Sequence, residues 1–224
     1  MRNWKVIAVL DSPIAGDVPY LDGILEFEMA QRQGKAGTVR RGDPAPRLGS
    51  IHLPLCRGNF AGVDYIPRCS APIYVGREER HEYIHKRLSV ENSMLLEPSE
   101  RTKVAIGNTW TKSYRLPLKV VNVDRVVWYV GGSKRRPLKS LLRSVHAIGK
   151  KRSDGYGRVL RWEFEEVEHD WSWFAPSTAG KVLMRVLPFA ETLFRDVVGY
   201  RRYFGGFAPP YWHPDRFLDV AIPC

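Results

Sequence analysis

The stretch Ile148-Gly149-Lys150-Lys151-Arg152-Ser153-Asp154-Gly155-Tyr156-Gly157-Arg158-Val159 places three glycines, four basic residues and a tyrosine close together. Glycine has no Cβ, so such a loop reaches positive φ angles and lets another backbone come close. Free backbone N–H groups and cationic side chains both favour phosphate oxygens, which makes a polyanion the natural guest. A solvated turn is the plain alternative for a Gly/Lys loop, and the flanks bear on the choice. Residues 137–147 carry Leu138, Leu141, Leu142 and Val145 at helical spacing. Residues 159–167 alternate, with Val159, Arg161, Glu163, Glu165 and Val167 on one side and Leu160, Trp162 and Phe164 on the other. The loop therefore joins a basic helix to an amphipathic strand.

The chain has 224 residues and a net charge of +11, a statement about partners rather than about fold. From Lys134 to Arg161 stand Lys134, Arg135, Arg136, Lys139, Arg143, Lys150, Lys151, Arg152, Arg158 and Arg161, against the single acid Asp154. Clustering of this kind is the electrostatic footprint of a nucleic-acid binder, with an anionic membrane surface as the second choice. At 44% hydrophobic and 26% charged the chain can build a core, so it is expected to be globular. It has no apolar run long enough to span a membrane. The apolar run 6–10 is too short, and lacks the cleavage site, for a signal peptide. A cytoplasmic location is expected, with Cys56, Cys69 and Cys224 as reduced thiols.

In chain order, 4–10 reads as a strand, and Asp22 caps a helix that runs to Gln33 and stops at Gly34. Phe27 interrupts that helix's apolar spacing and implies burial on more than one side. Residues 35–110 read as a long insertion with short strands at 50–55, 65–66 and 73–75 and a short helix at 78–88. Strands at 113–121 and 125–130 suggest a hairpin about Asn122-Val123-Asp124, and Pro137 suits the first turn of the basic helix. The core elements then read βαββαβ, the order of a ferredoxin-like unit, an α+β fold with helices on one face of an antiparallel sheet. RNA-recognition modules use the free face of such a sheet. The expected division is one domain over 1–224: core at 1–34 and 111–168, insertion at 35–110, and an irregular aromatic extension at 169–224. Most aromatics of that extension are expected to pack; Arg201-Arg202 between Tyr200 and Tyr203 is the part of it expected to touch RNA.

The βαββαβ order and the loop together resemble the RAMP superfamily of CRISPR-associated proteins, whose signature has the form G-K-x-R-x-x-G-Y-G. Here it stands as Gly149-Lys150-Lys151-Arg152-Ser153-Asp154-Gly155-Tyr156-Gly157, with one basic residue shifted. Within the superfamily the chain resembles the "Cas five"-like small subunit of type IV CRISPR effector complexes. That likeness is carried by the stretches 11–17, 25–30, 114–118 and 209–216. The resemblance implies a subunit that grips the 5′ repeat-derived handle of CRISPR RNA and caps the backbone filament in antiviral or anti-plasmid defence. Its implied partners are the backbone RAMP subunit and the large subunit, near the protospacer-adjacent motif of target DNA. It also makes the insertion at 35–110 the counterpart of a thumb.

The expected RNA-binding set is Gly149, Lys150, Lys151, Arg152, Gly155, Tyr156, Gly157 and Arg158, with Lys134, Arg135, Arg136 and Arg143 extending the track. No catalytic residue, cofactor or metal is expected. The alternative is a metal-independent endoribonuclease processing precursor CRISPR RNA, with His146, Tyr156 and Lys150 as acid–base groups, since His146 is the histidine nearest the loop in sequence. As plain structure, His146 is a helix-end residue favoured by the dipole. Cys56, Cys69, His81 and His85 form a C-x12-C-x11-H-x3-H pattern whose cysteines stand farther apart than structural zinc sites usually allow.

Overall fold

A computed structural model describes residues 2–34, 51–87 and 113–224. The elements are β1 (Arg2–Leu10), β2 (Ile14–Ala15), α1 (Leu21–Arg32), β3 (Arg57–Phe60), β4 (Val63–Pro67), β5 (Ile73–Val75), β6 (Glu78–Lys86), β7 (Tyr114–Asn122), β8 (Arg125–Ser133), α2 (Arg135–Leu142) and β9 (Val159–Val167). The C-terminal part adds β10 (Phe174–Ser177), β11 (Gly180–Leu183), β12 (Leu187–Pro188), β13 (Val197–Val198), β14 (Tyr200–Gly206) and β15 (Phe217–Pro223). The fold is α+β and rich in sheet.

The central sheet has the order β5-β8-β1-β9, and every neighbouring pair is antiparallel. Side chains alternate across a strand, so Trp4, Val6 and Ala8 of β1 and Val126, Trp128 and Val130 of β8 share one face. Leu21, Ile24 and Leu25 of α1 and Leu138, Leu141 and Leu142 of α2 close over them as the main core. On β9, Trp162 and Phe164 join this face as the alternation requires. Val159 joins it too, because the register with β1 shifts between Val9 and Leu10. This bulge makes Leu160 the extra residue and turns it outward at 56% exposure.

The opposite face is charge-balanced rather than basic. It carries the ion pairs Lys5–Glu165 at 2.7 Å and Arg161–Glu163 at 2.7 Å. Its aromatic, Tyr129, sits edge-on beneath Trp171 at 5.0 Å. Among the described residues no helix covers this face, as expected of the fold, and its charges are paired with one another.

Several assignments made from sequence are corrected. Residues 78–86 are the strand β6, not a helix: pairing with β7 along its whole length overrides the helix propensity of Glu78, Glu79, Arg80 and Glu82. β7 and β8 do not form a hairpin; β7 pairs with β6 and β2, while β8 pairs with β1 and β5. The region read wholly as an insertion thus supplies β5, an edge strand of the central sheet. Residues 51–55 form no strand, and β3 and β4 make a hairpin instead. α2 starts at Arg135 and ends at Leu142, five residues short of the expected end, although Val145 and Ile148 stay buried. Asp22 does not cap α1: Tyr20 holds the N-cap position without a side-chain bond, while Gly34 follows the helix at φ +64° as expected. Phe27 is 43% exposed, so its own side of α1 is open, while Leu21, Ile24 and Leu25 face the main core and Asp22 is buried against Arg185 and Tyr211.

The C-terminal part is not irregular. It folds into two three-stranded sheets, β10-β11-β13 and β12-β15-β14. With Phe60 and Ile66 of the β3–β4 hairpin they enclose a second core around Leu183, Leu187, Phe194, Phe207 and Val220. Most of its aromatics pack, as expected, through pairs such as Phe189–Phe194 at 5.4 Å and Phe194–Tyr200 at 5.0 Å.

The two cores meet at Arg185, which has no exposed surface. Its Nη2 lies 3.1 Å from Asp22 Oδ2, itself fully buried. It donates also to the carbonyls of Pro67, Cys69 and Phe207 and to the Tyr211 hydroxyl, which in turn donates to Asp22. Burial disfavours the guanidinium charge, but Tyr211 and Asp22 more than offset it and hold the Arg185 pKa above its ordinary value.

Candidate nucleic-acid interface

The glycine loop is pinned by the turn that follows β1. Lys150 N–H donates to Ala15 O at 2.8 Å, and Gly157 N–H donates to Pro13 O at 2.7 Å. Ser12 Oγ donates to Gly155 O at 2.8 Å and accepts from Arg158 N–H at 2.9 Å. Gly149, Gly155 and Gly157 have φ of +85°, +90° and +65°, and Lys151 takes the left-handed region at +55°. Two of these glycines serve the protein's own packing rather than a guest. A Cβ at Gly157 would fall 1.9 Å from Ile148 O, and one at Gly149 would fall 2.8 Å from Ile14. Gly155 alone among them faces open space.

The basic residues divide by what they already touch. Arg158 pairs with Asp11 at 3.1 Å, and Lys151 pairs with Asp154 at 3.3 Å. Arg135 lies over the Trp4 and Phe164 rings. Arg152 lies 4.9 Å over the Phe27 ring, which gives that exposed phenyl a partner. Lys134, Arg136, Lys139, Arg143 and Lys150 are exposed, and among the described residues no carboxylate lies within ion-pair distance of them. α2 has no acid in its first turn, so the positive end of its dipole adds to Lys134 and Arg136 instead of being neutralised.

Beside the loop lies a cleft of about 560 Å³ between α1 and the segment 144–153, lined among others by Phe27, Glu28, His146, Arg152 and Ser153. A second hollow of about 310 Å³ lies between α2 and the start of β9. Exposed His146 lines both.

The suggested acid–base trio does not share a neighbour. The Tyr156 hydroxyl donates to Glu82 of β6; this bond holds the phenol pKa above, and the carboxyl pKa below, its ordinary value. The Lys150 stem lies over Gly16, while His146 faces the two hollows. The cysteine–histidine pattern is also dispersed. Cys69 is buried 3.4 Å from Arg185 Nη1, Cys56 lies against Gly132, and His81 and His85 stand on β6 opposite Lys119 and Arg115. Among the described residues no group of three or more potential metal ligands gathers. Arg201 is exposed, whereas Arg202 is occupied by Asp219 at 3.0 Å and the Phe189 ring.

Sequence reasoning missed Phe27, Glu82 and Ser12 as parts of this region. For Ser12 a signal existed, because Asp11-Ser12-Pro13 is a turn sequence directly after a strand. For Phe27 and Glu82 none did, since their partners lie 125 and 74 residues away. No protein family matches the chain, and comparison with curated proteins finds no significant match.

Proposed function

We propose that this chain is an RNA-binding subunit of a ribonucleoprotein, with single-stranded RNA seated along α2 and the glycine loop. The observation that carries the reading is the run of exposed cations that have no carboxylate partner among the described residues, Lys134, Arg136, Lys139, Arg143 and Lys150, beside a loop rigidly held by its own backbone bonds. Phosphates are the counter-charge such a track lacks. The resemblance of the loop to the RAMP signature, and the all-antiparallel order β5-β8-β1-β9 with both helices on one face, support a ferredoxin-like RAMP core. On that reading the RNA is the 5′ handle of a CRISPR RNA in a type IV effector complex. The insertion at 35–110, which includes β6, corresponds to a thumb, and the neighbours are the backbone and large subunits. No described helix is long and apolar enough to cross a membrane.

The test is the salt dependence of RNA affinity. Each phosphate contact contributes about 0.7 to the slope of log K against log salt on a single strand. Lys139→Ala with Arg143→Ala is expected to weaken binding and lower the slope by about 1.4; an unchanged slope refutes phosphate contact there. His146, exposed at the junction of the hollows, is the one observation favouring the endoribonuclease alternative. A discrete product from repeat RNA in EDTA, lost in His146→Ala, would establish it, and intact RNA would remove it.

A further inference from the structure

The bulge in β9 leaves a feature that folding does not account for. Leu160 is turned out to 56% exposure beside the second hollow. Val159 and Trp162 complete an apolar floor there, and the Trp162 indole N–H is spent on Val145 O at 3.0 Å, so the ring offers only its carbon surface. Lys139, Arg143 and Arg161 stand around this floor, and among the described residues no carboxylate lines it. Across His146 lies the first cleft, where Phe27 and Arg152 form a second flat, cation-capped surface. The first cleft also holds one carboxylate, Glu28, which is spent on Arg32 at 3.2 Å and on the Ser144 hydroxyl. Two apolar floors with cations beside each, separated by one imidazole, match two unstacked bases with their phosphates.

Resting on the RNA reading above, we propose that the hollows take two consecutive bases of a single-stranded RNA, splayed apart by the His146 ring. One base lies against Phe27 and Arg152. The other lies on Leu160 and Trp162, and its phosphate meets Lys139 and Arg143. Single-stranded RNA is recognised in this way, by bases drawn out of the stack onto aromatic and guanidinium planes. Volumes of about 560 and 310 Å³ lie within the usual range of small-ligand sites, about 300–1,000 Å³. His146 is here a wedge and not an acid or base.

The experiment uses the full chain, a 5′-labelled single-stranded 12-nucleotide RNA pool and fluorescence anisotropy, with a 4-thiouridine pool for photo-crosslinking. His146→Ala and Leu160→Ser are each expected to weaken binding about tenfold, the effect of losing one stacked base. His146→Phe keeps a ring and is expected to stay within about twofold of the parent. Both positions are exposed, so melting temperatures should not move. In the unsubstituted protein, crosslinks are expected on the peptides holding His146 and Leu160. Unchanged affinity in His146→Ala and Leu160→Ser, or crosslinks confined to other peptides, overturns the two-base site. If Lys139→Ala with Arg143→Ala still weakens binding in that case, the RNA reading survives without it. No RNA binding by the unsubstituted protein overturns both.

Discussion

Glu26 stands on α1 one turn from the buried Asp22 and lines a hollow with Arg57 and Arg216. Burial, then the Asp22 charge, push its carboxyl up to about 7, and Arg216 and Arg57 oppose this. A carboxyl whose folded pKa exceeds its unfolded value makes the folded state bind the extra proton. Its penalty is absent below about 4.5, grows through the window up to about 7 and is complete above it. Stability is therefore expected to fall as pH rises through that window. Solvent screens a group little more than half buried, so the swing is about 1 kcal/mol. Urea denaturation of Glu26→Gln should lack this component; an identical pH profile would show that Glu26 titrates normally. At this scale the sequence was least informative. Asp22 reads as a helix cap because caps are local, whereas its actual partner Arg185 lies 163 residues away. A buried arginine carries no local signature.

Among the elements, the glycine loop was legible as a feature and misread as a device. Its composition announced positive φ angles, and they occur. Composition could not say whether the close neighbour is RNA or the protein's own carbonyl, and at Gly157 it is Ile148 O. Gly157→Ala is accordingly expected to cost about 2–3 kcal/mol, since backbone strain and a steric clash combine. Gly155→Ala should cost about 1 kcal/mol, strain alone. Thermal melts of the two variants check this; equal losses would contradict the packing role of Gly157. β1, α1 and β9 were readable as elements because their main apolar faces recur with the right period; in β9 this holds only from Trp162 on, since the bulge exchanges Val159 and Leu160 relative to the expected alternation. β6 was not, because both of its faces are largely exposed and its charges suit a helix as well as a strand. The supposed β7–β8 hairpin failed for a related reason. A short polar turn shows that the chain bends, not that the flanking strands pair.

For the molecule as a whole, charge and packing are segregated. Lys134, Arg136, Lys139, Arg143 and Lys150, without carboxylate partners among the described residues, share the edge formed by α2 and the glycine loop, while the helix-free sheet face carries its own ion pairs. Net charge announced a polyanionic partner but could not say which surface would receive it. The two cores are joined by Asp22, Arg185 and Tyr211. Arg185→Met strands a buried carboxylate and is expected to cost about 3–5 kcal/mol. In calorimetry the parent should unfold in one transition and the variant in two, the C-terminal core first. A single transition in Arg185→Met would mean that the apolar contact between the cores suffices to couple them.

The hydrogen bond from Tyr156 to Glu82 ties the loop to the β6–β7 ribbon. A tether of this kind makes the ribbon a lever: the middle of β6, at Glu82, is anchored to the loop through one phenol. A load applied at either end is transmitted to the other, and Tyr156→Phe would cut the line while leaving both ends intact.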